Sequence, residues 1–387
     1  MRADLLDIHR GSHTHLLDRR DAATLAPVEL DAVIVPTARP VNCLREAAGL
    51  ARELKAPMVA LCSRSATPHE AVALGRELDT PLAAVEVRAD DLPRMTTTRL
   101  IQTDPRYRFF RRDSDLSLKR NLSLLLARAA GWRRVVFLDD DISQVDPGQV
   151  RAAAGLLGEL RVVGLANHGF PDNSVVCHAY RAVGGQQETF VGAGAMLIDP
   201  QAVDAFFPDI YSEDWFFLYD DVCDRRVGVT GSVFHREFDP FADPARARAE
   251  EFGDCLAEGL FSLLHKEGDA AAATEEAFTA EFWQRAIAKR RELIRRVLTR
   301  LNGPGPEEPA HGNAKPDQVK EREKRDKMRA SLEAAQQVGS FITPSLCVDY
   351  IAAWRADLTQ WRQSLTALRP PPSVERALVQ LDEARLG

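Results

Sequence analysis

Short apolar runs alternate with stretches of helical spacing over the first 240 residues. Ala32-Val33-Ile34-Val35, closed by Pro36, reads as a buried strand. Leu44, Ala47, Ala48, Ala51 and Leu54 follow at helical spacing. Residues 58–62 and 82–87 read as two further strands, with a helix over 71–78 between them. Leu116, Leu122, Leu125, Leu126 and Ala129 predict a helix over 115–130, capped near Asp113 or Ser114. Val135-Val136-Phe137-Leu138 is a strong strand, followed by a helix over 147–159 and a strand over 162–165. A Gly-interrupted strand is expected over 190–198, and another over 227–234 that ends at His235. Strands alternating with helices imply an α/β fold, with a mostly parallel sheet covered by helices on both faces. Ligands of such sheets bind at the carboxyl ends of the strands.

The pattern changes near residue 244. Helices are expected over 245–266, 274–301, 316–337 and 344–368, the last ended by Pro370-Pro371-Pro372. A Gly/Pro-rich linker occupies 303–316. The expected division is a lead-in segment (1–30), an α/β domain (31–243) and a helical C-terminal region (244–387). The helix at 285–300 is basic, which invites a membrane-surface reading. Its apolar positions recur as in any core-facing helix, so a solvated basic face is the plainer one. Trp354 and Trp361, seven apart on one face, suit a core or a seam with a second copy, which leaves a homodimer open.

Composition narrows the function classes. With 45% apolar and 28% charged residues, the 387-residue chain is neither disordered nor collagen-like. The net charge of −7 gives no reason to expect nucleic acid as a partner. No apolar run approaches the roughly 18–20 residues of a membrane span. The first seven residues hold two acids and no apolar core, so a signal peptide is not expected. Six scattered cysteines form no C-x-x-C pair, and the expectation is a reduced, cytoplasmic protein. His9, His13 and His15 form a tract that can bind metal. With so few flanking ligands, a surface segment is the plainer reading.

The central chemical signal is Asp139-Asp140-Asp141, directly after the strand 135–138. Three acids there repel one another unless a cation compensates them. Mg²⁺ or Mn²⁺ commonly bridges such carboxylates to substrate phosphates. Upstream, Lys119-Arg120-Asn121 opens a helix and offers cations to anionic oxygens. Downstream, Glu213-Asp214 stands among Tyr211, Trp215, Phe216 and Phe217, a setting that shifts pKa values and suits a base. The basic segment 96–112 could receive an anionic acceptor, though a solvated loop is the plainer reading.

In this order, the motifs resemble the GT-A fold of nucleotide-sugar glycosyltransferases, especially the family-2-like group. Val33-Ile34-Val35-Pro36-Thr37-Ala38-Arg39 looks like that family's opening nucleotide-binding turn. Leu118-Lys119-Arg120-Asn121 resembles its Arg-Asn helix start, Asp139-Asp140-Asp141 its D-x-D, and Glu213-Asp214 its acceptor-side pair. The resemblance covers roughly residues 31–240. It implies a nucleotide-diphospho-sugar donor (UDP-, GDP- or TDP-linked), a small-molecule or glycan acceptor, and Mn²⁺ or Mg²⁺ as cofactor. Pro36, Thr37, Arg39, Ser63, Lys119, Arg120, Asp139 and Asp140 would bind the nucleotide diphosphate. Asp139 and Asp141 would ligate the metal. Asp214, with Glu213 beside it, would act on the acceptor. In enzymes similar to mannosylglycerate synthase and glucosyl-3-phosphoglycerate synthase, a His placed like His235 completes the metal shell. A departure stands at the end of the second strand. Family members often carry an acid there, and this chain has Cys62-Ser63-Arg64-Ser65.

Three rivals remain open. A haloacid-dehalogenase-type phosphatase shares an apolar strand plus D-x-D, but normally places that strand first in its domain. A sugar nucleotidyltransferase would need a Gly-rich basic loop where Pro36-Thr37-Ala38-Arg39-Pro40 stands. A non-catalytic binding module would have little use for intact acids.

Overall fold

The computed structural model describes residues 9–265, 274–303, 316–365 and 372–386. Most of the expected linker and the first eight residues lie outside these. The strands are β1 (Asp18–Arg19), β2 (Ala32–Thr37), β3 (Met58–Cys62), β4 (Leu82–Glu86), β5 (Val135–Leu138), β6 (Ile142–Ser143), β7 (Val162–Asn167), β8 (Ala195–Ile198) and β9 (Val227–His235). They form one sheet in the order β1-β9-β7-β8-β5-β2-β3-β4, with β6 joined to β9. The pairs β1/β9, β7/β9, β5/β2, β2/β3 and β3/β4 are parallel. β8 runs antiparallel to both neighbours, β5 and β7. The mostly parallel sheet expected from the sequence is the one found. The reversal of β8 brings its amino end to the edge where β2, β3 and β5 deliver their carboxyl ends.

Side-chain alternation sorts the strands onto two cores. Val33, Val35, Val136 and Leu138 face α1 (Arg45–Leu54), α2 (Pro68–Glu77) and α5 (Pro147–Ala154). Ala32, Ile34, Val135 and Phe137 face the other side. There they meet α4 (Leu116–Ala129), α7 (Glu213–Cys223) and the C-terminal helices. Trp283, Trp354 and Trp361 are buried in this same core. Trp354 sits edge-on to Phe216 and Tyr219, so the two tryptophans of the late helix pack inward. No helix among the described residues is long and apolar enough to cross a membrane. All six cysteines are free thiols.

Several boundaries differ from the sequence reading. β2 does not stop at Pro36 but runs through it to Thr37. Val33 N–H donates toward β3, so alternation turns the nitrogen of Pro36 toward β5. Pairing with β5 has already ended at Ile34, and no rung is lost. Only Ala195–Ile198 of the Gly-interrupted stretch is strand. Pro370-Pro371-Pro372 was expected only to end a helix, yet Pro372 starts α12 (Pro372–Leu386). Proline suits a first helical turn, where its missing N–H is not needed. Gln380 on that helix accepts the N–H of Ala84, covering the edge strand β4.

Segments read as peripheral are built in. His9, His13, Leu16 and Leu17 are buried, and β1 extends the sheet. Four more helices add to the cover: α8 (Pro244–Leu263), α9 (Ala280–Leu301), α10 (Pro316–Gly339) and α11 (Pro344–Leu365). The basic helix α9 does not present all its cations to solvent. Arg290 is buried and paired with Glu251 and Asp254, and Arg291 caps the carbonyls at the end of α10.

Candidate active site

The acidic triplet lies on a tight turn between β5 and β6. Asp139 N–H donates to Gly194 O at 2.8 Å, and Ile142 N–H returns to Asp139 O at 3.1 Å. The three carboxylates then part company. Asp140 points back under β2, taking Thr37 Oγ1 at 2.5 Å and Arg39 Nε at 2.8 Å. Asp141 is half-buried, with Arg39 Nη2 at 3.1 Å. Asp139 is gripped by Arg120 Nη2 at 3.1 and 2.9 Å to its two oxygens.

Arg120 is the keystone of the site. It is buried, lies over the Phe207 ring, and sends Nη1 to Glu213 Oε1 at 2.7 Å. One guanidinium therefore ties the end of β5 to the first turn of α7. Glu213 has its other oxygen within 3.4 Å of Arg112, so both are engaged. Lys119, one residue earlier, is also buried. Its ammonium reaches Thr37 O at 2.8 Å, Ser63 Oγ at 2.7 Å and Asp115 Oδ1 at 2.9 Å. Three donors on three partners exhaust an ammonium. Lys119 thus locks β2, β3 and α4 together, and Ser63 stands behind it.

Asp214 is the freer acid of the downstream pair. Ser212, at φ 60°, turns the chain sharply into α7 and aims Asp214 at the sheet edge. Asp214 Oδ2 accepts Ala193 N–H at 3.2 Å. Burial pushes its carboxyl up to about 7; neighbouring Glu213 adds to this and Arg120 opposes it. Burial likewise pushes Asp139 up to about 7 against the pull of Arg120. A Cβ at Gly192 would stand 3.2 Å from Asp214 Oδ2 and 3.4 Å from Asp172 Oδ2. One at Gly194 would stand 3.3 Å from Asp139 Oδ2. These glycines give the acids room.

His235 arrives by strand pairing. β6 runs antiparallel to the end of β9, with Ile142 opposite His235, and Arg236 N–H bonds to Asp141 O at 3.1 Å. The imidazole Nε2 then lies 3.7 Å from Asp141 Oδ2, while its buried Nδ1 has no partner. Asp141 and His235 fit a divalent cation: a carboxylate on the cavity wall with a buried imidazole side by side. Asp139 is drawn to Arg120 instead.

Two cavities meet at this edge. One, of about 260 Å³, is lined by Pro36, Thr37, Arg39, Arg64, Lys119 and the three aspartates. The other, of about 180 Å³, is lined by Arg112, Arg120, Asp139, Asp172, Glu213, Asp214 and Trp215 among others. Asp139 and Leu116 belong to both walls. The sequence reading missed Arg64, Arg112 and Asp172 as lining residues. It also missed Gly192 and Gly194, which it read as interruptions of a strand over 190–198. Arg112 belonged to a basic segment of which Arg106 pairs with Asp104 and with the distant Asp349, Arg108 donates to Pro105 O and Arg111 to Ile101 O.

No family model and no curated protein matches the chain. Among solved structures, it is similar to glucosyl-3-phosphoglycerate synthase from Mycobacterium tuberculosis. In complex with Mn²⁺, uridine diphosphate and phosphoglyceric acid, that structure has 16% identity and a TM-score of 0.37, over 57% of this chain and 79% of that one. In complex with phosphoglyceric acid, the values are 14% and 0.40, over 65% and 90%.

Proposed function

We propose that this chain is a metal-dependent glycosyltransferase that moves a sugar from a nucleotide-diphosphate donor to an acceptor hydroxyl or amine. The observation that carries the reading is the pair of cavities sharing Asp139. One is lined by Arg39, Arg64 and Lys119, each paired with an aspartate of the same wall, and the other holds an acid of raised pKa. A donor diphosphate is anionic and suits the Arg39 and Arg64 side. An acceptor needs a proton removed, which suits Asp214. Asp141 and His235 would hold Mn²⁺ or Mg²⁺, which would neutralise the leaving diphosphate.

The chain's own residues divide the work. Arg39 keeps Asp140 folded back and leaves Asp141 at the cavity wall. Arg120 ties Asp139 to Glu213 and so joins the walls of the two cavities. Asp214, its carboxyl raised by burial, accepts the acceptor proton in an inverting reaction, or orients the acceptor in a retaining one. The fold and this division agree with the GT-A resemblance of the motifs.

The test is a thermal-shift screen of UDP-, GDP- and TDP-sugars with and without Mn²⁺. A ligand specific for the folded state raises the melting temperature by mass action. One nucleotide class should do so only with the metal present. No shift with any of them, at millimolar concentrations, would overturn the reading.

A further inference from the structure

The second cavity runs inward to a cluster that the proposed sugar transfer does not use. A ring nitrogen of His9, Sγ of Cys177 and a carboxylate oxygen of Glu258 lie within 4.8 Å of one another. All three residues are buried. Cys177 sits in the first turn of α6 (Val175–Ala182), whose Ser174 cap accepts its N–H. Glu258 projects from α8. His9 is 6% exposed, and neither of its ring nitrogens has a hydrogen-bond partner. Its approach to Glu258 Oε1, at 3.7 Å, is too long for a hydrogen bond. A buried imidazole with both nitrogens idle is costly, and such a group calls for an explanation.

We propose that His9, Cys177 and Glu258 form a zinc site, separate from Asp141 and His235. The donor set is nitrogen, sulfur and oxygen, which suits Zn²⁺ and suits Mg²⁺ poorly. Zinc–ligand bonds of about 2.0–2.3 Å put donor atoms ~3.5 Å apart, so closure by about 1 Å completes the site. Among the described residues, no other three His, Cys, Asp or Glu side chains converge as closely.

Charge supports the assignment. Cys177 is a buried free thiol. A bound cation displaces the thiol proton: the S–H bond breaks, an S–Zn bond forms, and H⁺ leaves to buffer. Thiolate and carboxylate together then balance Zn²⁺. The other nearby acid, Asp254, is already paired with Arg290. The surroundings also orient the ligands. His13 Nε2 lies 3.3 Å from Glu258 Oε2, and His265 Nε2 lies 2.8 Å from His13 Nδ1. With Glu258 ionised, the consistent tautomers make His265 donate to His13 and His13 donate to Glu258, an outer shell that fixes the carboxylate. Cys177 and Glu258 line the cavity, which gives the ion a way in and leaves its fourth position to water.

The experiment uses the full chain, stripped with chelator and titrated anaerobically with Co²⁺ as a spectroscopic stand-in for zinc. One equivalent should produce a thiolate-to-cobalt charge-transfer band, release about one proton, and be displaced by Zn²⁺. Cys177→Ser should abolish the band. His9→Ala should weaken Co²⁺ binding at least 10-fold, and Asp141→Ala should leave both band and affinity unchanged. The last variant separates this site from the proposed transferase metal, so either can fail alone. Absence of the band in the wild-type protein would overturn the proposal, whatever the variants do. So would a band that survives in folded Cys177→Ser.

Discussion

His235 Nε2 stands 3.7 Å from Asp141 Oδ2, although 94 residues separate them in the chain. The Ile142–His235 pairing sets this distance, and the idle Nδ1 leaves the ring free of competing partners on its other side. Asp141→Ala should fold normally, because this half-buried side chain makes only peripheral ion pairs, worth about 0–1 kcal/mol. Both Asp141→Ala and His235→Ala should lose the Mn²⁺-dependent melting shift given by a donor nucleotide. A shift equal to wild type in either variant would remove that residue from the metal site.

Arg120→Ala should be destabilising as well as inactive. It strands the half-buried Asp139 and the buried Glu213 without their shared cation. Breaking a buried ion pair costs roughly 3–5 kcal/mol. Urea unfolding of wild type and variant measures the difference. A loss below about 1 kcal/mol would mean that Arg120 is not the keystone described here.

The pH dependence has a definite sign. Asp214 lies at about 7 in the fold, against 3.8 for the free side chain. The folded state therefore holds this proton more tightly than the unfolded one. As pH rises from about 4 to about 7, the unfolded chain ionises first, and wild type loses stability relative to Asp214→Asn. Above about 7 the difference is flat. Melting temperatures of both proteins across this range provide the check; parallel curves would refute the raised pKa. The rate of wild type should rise with pH through about 7 if Asp214 is the base.

Asp357 joins the late helix to the α/β part. From α11 (Pro344–Leu365) its buried carboxylate accepts the N–H groups of Thr96 and Thr97 at 2.9 and 2.7 Å, capping α3 (Thr96–Thr103) from a distance. Asp357→Ala leaves those donors unmet, at about 1–3 kcal/mol. The loss should appear as a lower midpoint of one cooperative urea transition. Unchanged stability would show that water replaces the cap.

The strands that carry the site were legible because parallel strands, buried on both faces, read as apolar runs. The acids after β5 and the pair Glu213-Asp214 stood out because acids beside apolar runs need a reason. Arg120 was visible as a helix-start cation, but its partners were not: Glu213 is 93 residues away. Lys119 was read as a nucleotide-side cation, and it lines the first cavity, but its three internal partners appear only in three-dimensional packing. Gly192 and Gly194 blurred a strand signal because their value lies in what they leave empty. The burial of His9 and His13 had no local signature at all; α6 and α8, far along the chain, create it.

β1 pairs with β9 across 210 residues, Asp18 against Gly228. At a synthesis rate of about 5–20 residues per second, the start of the chain waits roughly 10–40 s on the ribosome before its partner strand exists. Until then, the segment leading to β1, with its histidines, has no sheet to join. Changes in the segment that enters β1 therefore act on a pairing that cannot form until β9 has been made. Their harm would appear first in the yield of folded protein made during translation, rather than in the stability of molecules that have already closed.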